Sequence, residues 1–275
     1  MSIKVFFCKN TLFFLLCSLP FSVNAQNFYL KIGAAYAGAS TASNIGILTN
    51  PMEDESFFAK YGSGLNSSLS VGYDFNDHFS LGLNTTYFGN YKMSDVFING
   101  SEVVEYDILV KSYMQLSPIL RLSSKRKKTY VYGEAGLVLP FFNGTEIGRN
   151  VIVFEEATND VALEVEQKAA IKHQAKIGYT STVGVSYVLS KKTAVFVEVI
   201  QTELNTYPER SSITTWHENE IDVLSTKNQI DTEIIFVDRL TKESNRAEPN
   251  LPLSTIRPAT SFGQLNCRFG WEVIF

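Results

Sequence analysis

Cysteine is nearly missing from this chain. There are three in 275 residues: Cys8, Cys17 and Cys267. The first two fall in an N-terminal segment that reads as a removable leader, which leaves Cys267 alone and excludes an intramolecular disulfide and any cysteine-based zinc site. Histidine is equally scarce, with three copies. Beyond Ala25 no apolar run approaches the roughly 20 residues that a membrane-spanning helix needs. A surplus of basic residues is also missing. Without the leader, 22 Lys and Arg face 28 Asp and Glu, a formal charge of -6. A mildly acidic chain is not built to neutralise a phosphate backbone, so nucleic acid is not an expected partner. No cofactor or metal motif is expected either.

The leader has the parts of a secretory signal. Lys4 and Lys9 supply a positive start, Thr11 to Leu19 form a short apolar core, and Val23-Asn24-Ala25 makes a small-x-small cleavage site. The apolar core is too short for a span, so residues 1–25 read as a signal peptide and 26–275 as one exported domain. Leu16, large where lipidation needs a small residue, argues against acylation of Cys17.

After Ala25 the chain alternates at period two, the mark of half-buried strands. Phe28, Leu30, Ile32, Ala34 and Tyr36 share one face, with Tyr29, Lys31, Gly33 and Ala35 on the other. Similar patterns run over 68–75, 79–87, 113–122, 131–139, 177–189, 195–200 and the closing run "CRFGWEVIF", eight strands in all. Three connections are tight and polar: Asn76-Asp77-His78, "SSKRKK" at 123–128 and Ser190-Lys191-Lys192. Four are long: 37–63, 89–105, 141–172 and 203–260. Long and short alternate strictly. In an up-and-down sheet every second connection lies at the same end, so one end carries the tight turns and both termini and the other carries all the long loops.

That sorting predicts an all-β fold, an eight-stranded antiparallel up-and-down transmembrane barrel with short periplasmic turns and long extracellular loops. Closure leaves no edge, so every backbone group within the hydrocarbon finds a partner. Phe269, Trp271, Val273 and Phe275 then form the outward row of the last strand, facing lipid and carrying a C-terminal assembly signal. Trp271, Tyr73, Tyr87, Tyr179 and Tyr187 are candidates for the interfacial aromatic girdles. The competing fold is a water-soluble calycin-like barrel with the apolar face turned inward. The many Gly and Ser residues on the polar faces suit a crowded lumen better than a solvated exterior.

Several short runs add a resemblance. An "Ala-Gln" leader junction, "YMQLSPILRL" at 113–122, "YGEAGLVL" at 132–139 and the terminal "FGWEVIF" resemble the small outer-membrane β-barrel families common in Bacteroidetes. These are also labelled PorT-like and share the OmpA/OmpX-type architecture. The resemblance implies the fold and an outer-membrane location, with the terminal aromatic read by the barrel assembly machinery. Of activity it implies little.

By alternation Lys31, Lys111, Arg121 and Arg268 point inward, as do Asp74, Glu134, Glu198 and Glu272. Isolated charges in a narrow lumen are costly and paired ones tolerable, so an ion-pair network is expected to fill it, with Arg121 and Glu134 a cross-strand pair. The alternative is a proton or small-solute conduit using Glu134 and Glu198, but eight strands leave barely enough room for side chains. A lipid-modifying enzyme needs a base near the outer rim, and His173 is better placed than His78, in a periplasmic turn, or His217, in the fourth loop. No serine is evident beside it. Acidic loop residues Glu155, Glu156, Asp160, Glu164, Glu166, Asp222, Asp231, Glu233 and Asp238 offer either a solvated face or divalent-cation contacts beside lipopolysaccharide phosphates. "KRKK" at 125–128 either meets inner-leaflet headgroups or keeps its turn wet. The expectation is a monomeric, non-enzymatic barrel contacting outer-membrane lipid and lipopolysaccharide. Its loops serve envelope structure, binding or a secretion partner.

Overall fold

The computed structural model describes residues 27–39, 43–49, 54–59, 63–125, 127–142, 144–155, 160–240, 248–256, 260–261 and 263–275. The leader expected over 1–25 lies outside the described residues. In chain order the strands are β1 (Phe28–Ala39), β2 (Ser43–Thr49), β3 (Asp54–Ala59), β4 (Gly64–Asp74), β5 (Phe79–Phe88), β6 (Tyr91–Asn99), β7 (Glu102–Val110), β8 (Tyr113–Ser123), β9 (Thr129–Phe141) and β10 (Thr145–Phe154). They continue with β11 (Val161–Ala175), β12 (Gly178–Ser190), β13 (Thr193–Glu203), β14 (Asn205–Glu218), β15 (Ile221–Asp222), β16 (Glu233–Val237), β17 (Leu253–Ile256), β18 (Thr260–Ser261) and β19 (Gln264–Ile274). A 3₁₀ turn at Leu224–Thr226 and a one-turn helix at Gln229–Thr232 are the helical elements between β15 and β16.

Eight of these strands close into a barrel in the order β1-β19-β13-β12-β9-β8-β5-β4. The chain's last strand closes on its first, with Lys31 opposite Glu272 and Ile32 opposite Trp271. Period-two alternation holds through every wall strand. Along β12, Gly178, Thr180, Thr182, Gly184 and Ser186 are buried, while Tyr179, Ser181, Val183, Val185 and Tyr187 are exposed. The buried members are the small and polar ones. Val183 is 70% exposed and Trp271 62%, whereas Arg121 and Glu272 are 0% exposed. The barrel is therefore greasy outside and charged within.

The long connections are mostly strand. Strands β6, β7, β10, β11, β14, β16 and β17 form a second sheet beyond the rim, with β15 and β18 pairing to β14. The third loop forms a hairpin, β10 on β11, and the fourth contributes β14 and its short satellites. The β-branched content of "EVVEYDILV" and "TEIGRNVIVF" favours this extension.

Polarity inverts at the rim. In the second sheet the large buried side chains are apolar, Val104, Ile108, Val110 and Val151, with the small hydroxyls of Thr145, Thr206 and Ser211 buried among the same strands. Ile108 and Val110 pack with Ala37, Phe88, Tyr113 and Leu204 into the main apolar cluster, flanked by Tyr91, Met93, Phe142 and Ile147. The opposite face carries surface ion pairs, Lys92–Asp107, Lys111–Glu146 and Lys168–Glu166, at 3.0, 2.7 and 2.7 Å. One continuous chain thus builds a lower section with polar residues inside and an upper section with apolar residues inside.

Candidate functional site: a sealed, ion-paired lumen

Cross-strand register fixes which charges can meet inside the barrel. Arg121 on β8 stands opposite Glu134 on β9, and Glu198 on β13 opposite Arg268 on β19. Arg121 Nε lies 3.4 Å from Glu134 Oε1. Its guanidinium also forks onto Glu272 across the lumen, Nη1 to Oε1 at 2.9 Å and Nη2 to Oε2 at 3.3 Å. Glu198 accepts from Lys31 and from the Arg268 guanidinium, whose Nε donates at 2.5 Å. Lys31 bridges on to Glu134 at 3.1 Å. Three cations and three carboxylates therefore form one connected, charge-balanced unit, and each of the six residues is at most 6% exposed.

Tyrosines fill the remaining hydrogen-bonding capacity. Tyr132 donates to Glu198 at 2.5 Å and Tyr130 to Glu272 at 2.8 Å. Arg121 stacks over the Tyr132 ring at 4.0 Å and over Tyr29 at 4.9 Å. These rings need space, and glycines opposite supply it. Tyr29 faces Gly72, Tyr132 faces Gly184 and Phe196 faces Gly270. A Cβ on Gly72 or Gly184 would run into the facing tyrosine ring. The parity pattern placed Tyr29 and Tyr132 inward. The signal that went unread was an inward aromatic on one strand matched by an inward glycine on the next.

Two of the eight expected lumen charges stand apart from the six. Asp74 is buried near the short-turn end, where Ser80 Oγ donates to it at 2.5 Å. Ser80 in turn pairs with Arg121 in register, so Asp74 lies in the same cross-strand row. Lys111 is a correction. It is 40% exposed at its side chain and reaches Glu146 on the outer face of the second sheet. The chain turns a corner between Val110 and Tyr113, where Lys111 N–H bonds to Gly144 O at 3.2 Å, and parity counted down from β8 does not survive the corner.

Above the network the lumen stays polar, then closes. Asn66, Asn84, Thr86, Gln115, Ser117, Thr202 and Asn266 surround a void of about 20 Å³, room for about one water. Asn66 donates to Asn266 at 3.0 Å. Over this void lies an aromatic roof, Phe88 stacked on Tyr113 at 4.5 Å and Tyr113 tilted by 33° against Phe142 at 4.6 Å. Gln264 Nε2 donates to the Tyr113 hydroxyl at 2.5 Å, joining roof to wall.

The other singled-out groups lie at the two ends. His78 Nδ1 is 2.9 Å from Ser123 O and ties two turns together. His217 Nδ1 meets Glu166 Oε2 at 3.0 Å. Hydrogen bonds from Lys168 and His217 hold the Glu166 carboxyl below its ordinary range. His173 Nε2 lies 3.1 Å from the hydroxyl of Thr145, which is 2% exposed. Its buried Nδ1 has no hydrogen-bond partner among the described residues, and burial pushes the imidazole down to about 4. Among the described residues no three His, Cys, Asp or Glu side chains converge on a metal-sized site. Cys267 is free and exposed on the outward face of β19.

Fold and site together define a sealed eight-stranded antiparallel β-barrel of reversed polarity. Solved structures similar to it are outer-membrane proteins. Neisserial surface protein A is 12% identical, over 90% of this chain and 97% of that one, with a TM-score of 0.39. OprG from Pseudomonas aeruginosa is 13% identical, over 91% and 96%, at 0.42. The outer membrane protease OmpT from Escherichia coli is 11% identical, over 92% and 98%, at 0.39. No family model matches the chain, and no curated relative matches it.

Proposed function

We propose that this is a monomeric outer-membrane β-barrel of the small Bacteroidetes, PorT-like type, delivered by cleavage of residues 1–25. On this reading it is non-enzymatic, and it works through the sheet that it holds outside the membrane, in binding, envelope structure or a secretion assembly. One observation carries the reading: the outward rows of the wall strands are predominantly apolar and exposed while six charges are buried within. In water that arrangement leaves a continuous greasy belt exposed, whereas in a bilayer both faces are matched. The inversion above the rim fits the same frame, because the upper section has the water-soluble arrangement.

The lumen supports a structural role over a conduit. A void for about one water, an aromatic roof and a neutralised six-charge unit leave no solute path. The His173–Thr145 pair supports the non-enzymatic reading, since its hydroxyl is buried and no carboxylate among the described residues orients the ring. Protein refolded in detergent should migrate differently on a gel before and after boiling, and should show no steady conductance in planar bilayers. A protein recovered from the periplasm without detergent, unchanged in mobility by boiling, would overturn the reading. Steady conductance would overturn the sealed lumen alone.

A further inference from the structure

Cations are managed differently at the two ends of this barrel. At and beyond the loop-end rim, six of the nine described Lys and Arg residues pair with a carboxylate, Lys92, Lys111, Lys168, Lys172, Arg210 and Lys227, while Arg149, Lys176 and Arg239 have no ion pair among the described residues. At the turn end, Lys125, Lys127, Lys128, Lys191 and Lys192 are all exposed, and none has an ion-pair partner among the described residues. They are also gathered on one arc. The β8–β9 and β12–β13 hairpins are neighbours through the β9–β12 pairing. Val188 N–H donates to Lys128 O at 2.9 Å and locks the two turns side by side. Five like charges fixed within two adjacent turns repel one another unless an anion joins them.

The arc sits directly under outward apolar residues of the same strands: Leu122 on β8, Val131 on β9, and Tyr187 and Leu189 on β12, between 42% and 58% exposed. Lys128 shows which way such a side chain goes. Its Nζ lies 5.6 Å from the centroid of the outward Tyr187 ring, so it runs along the outside of the barrel. A cation held over an interfacial aromatic, at the lower border of an apolar belt, is where an acyl chain ends and its phosphate begins.

We infer that this arc is a seat for an anionic phospholipid headgroup of the leaflet next to the turns, with Lys125, Lys127, Lys128, Lys191 and Lys192 as its cations. The inference rests on the membrane-barrel reading above. Opposite charge selects the headgroup, and continuity with the apolar belt selects a lipid over a free phosphate. Each lysine close to an anionic surface is worth about fivefold in affinity, so a preference of at least about fivefold over a zwitterionic lipid is expected.

Trp271 is a built-in reporter. It stands opposite Val195, which stands opposite Tyr187, placing the indole two strands from the arc in the same row. Trp216, the second tryptophan, is replaced by Phe. The barrel is refolded into phosphatidylcholine vesicles in which part of the lipid is dibrominated phosphatidylcholine or dibrominated phosphatidylglycerol. Phosphatidylglycerol should quench Trp271 with at least about fivefold higher relative affinity. The preference should vanish in molar salt and in K125Q/K127Q/K128Q/K191Q/K192Q, and should persist when the five become Arg. Equal quenching in the unsubstituted arc overturns the inference and leaves the barrel intact, as does a preference that survives all five Gln substitutions. If neither lipid quenches Trp271, the membrane reading itself fails and the inference with it.

Discussion

Glu198→Gln is the sharpest test of the lumen. Glu198 is 1% exposed and accepts from Lys31, Arg268 and Tyr132. The substitution keeps its size and removes one negative charge, leaving three buried cations facing two carboxylates. Lys31 retains Glu134 at 3.1 Å, but among the described residues Arg268 keeps no carboxylate, only Asn84 Oδ1 at 3.4 Å and the Phe196 ring at 5.9 Å. Arg268 therefore bears most of the loss. Removing one member of a buried pair costs about 3–5 kcal/mol, because the other charge stays buried and uncompensated. The double variant E198Q/R268Q restores balance at two cations and two carboxylates, and should recover more than half of that cost. Urea unfolding of the barrel in lipid vesicles, followed by Trp271 fluorescence and by gel mobility, gives both values. Strict additivity of the two single changes would refute a coupled unit. A cost below about 0.5 kcal/mol for E198Q would mean that the lumen is wet enough to solvate a bare guanidinium.

Two further outcomes follow from geometry already described. His173 has a folded pKa of about 4, below its ordinary 6.5, so the unfolded chain binds its proton first. The stability that depends on the neutral ring is complete above about pH 6.5 and is lost as pH falls toward 4, up to about 3 kcal/mol. Trp216 fluorescence in a Trp271→Phe background should report this loss in urea, and His173→Gln should flatten the profile over that window. Gly184→Ala sets a Cβ against the Tyr132 ring and should cost about 1–3 kcal/mol by overpacking. Adding Tyr132→Leu should give a combined loss smaller than the sum, measured by the same unfolding assay.

Much of the wall was legible because alternation at period two survives closure into a barrel. On β1, β12 and β19 each residue read as outward is outward, from Ile32 to Val183 to Trp271. Six charges read as inward are in one network for the same reason. What sequence could not give was the partnering. Lys31 stands in register with Glu272 yet bonds to Glu134 and Glu198, because in a narrow tube a long side chain reaches across as easily as sideways. Lys111 was misplaced because parity is a property of one uninterrupted strand. Of the second sheet, the local β10–β11 hairpin was legible in the run "VIVFEEATNDVALEVEQKAAIK" at 151–172, whereas pairings such as Ala169 opposite Ile213 join segments far apart in the chain.

The reversal of polarity at the rim has a mechanical meaning. On the membrane reading proposed above, it fixes how deep the protein rides. A rise of two residues along each wall strand, about 7 Å, would strip oil from the ring of Tyr36, Tyr87, Tyr179 and Phe141. A drop of the same size would drag Lys111, Glu146 and Lys172 into hydrocarbon. Either displacement is penalised around the whole circumference at once, so tilt is resisted along with height. The outer sheet is thereby presented at a set elevation above the lipid, like a platform on a pile driven to a marked line.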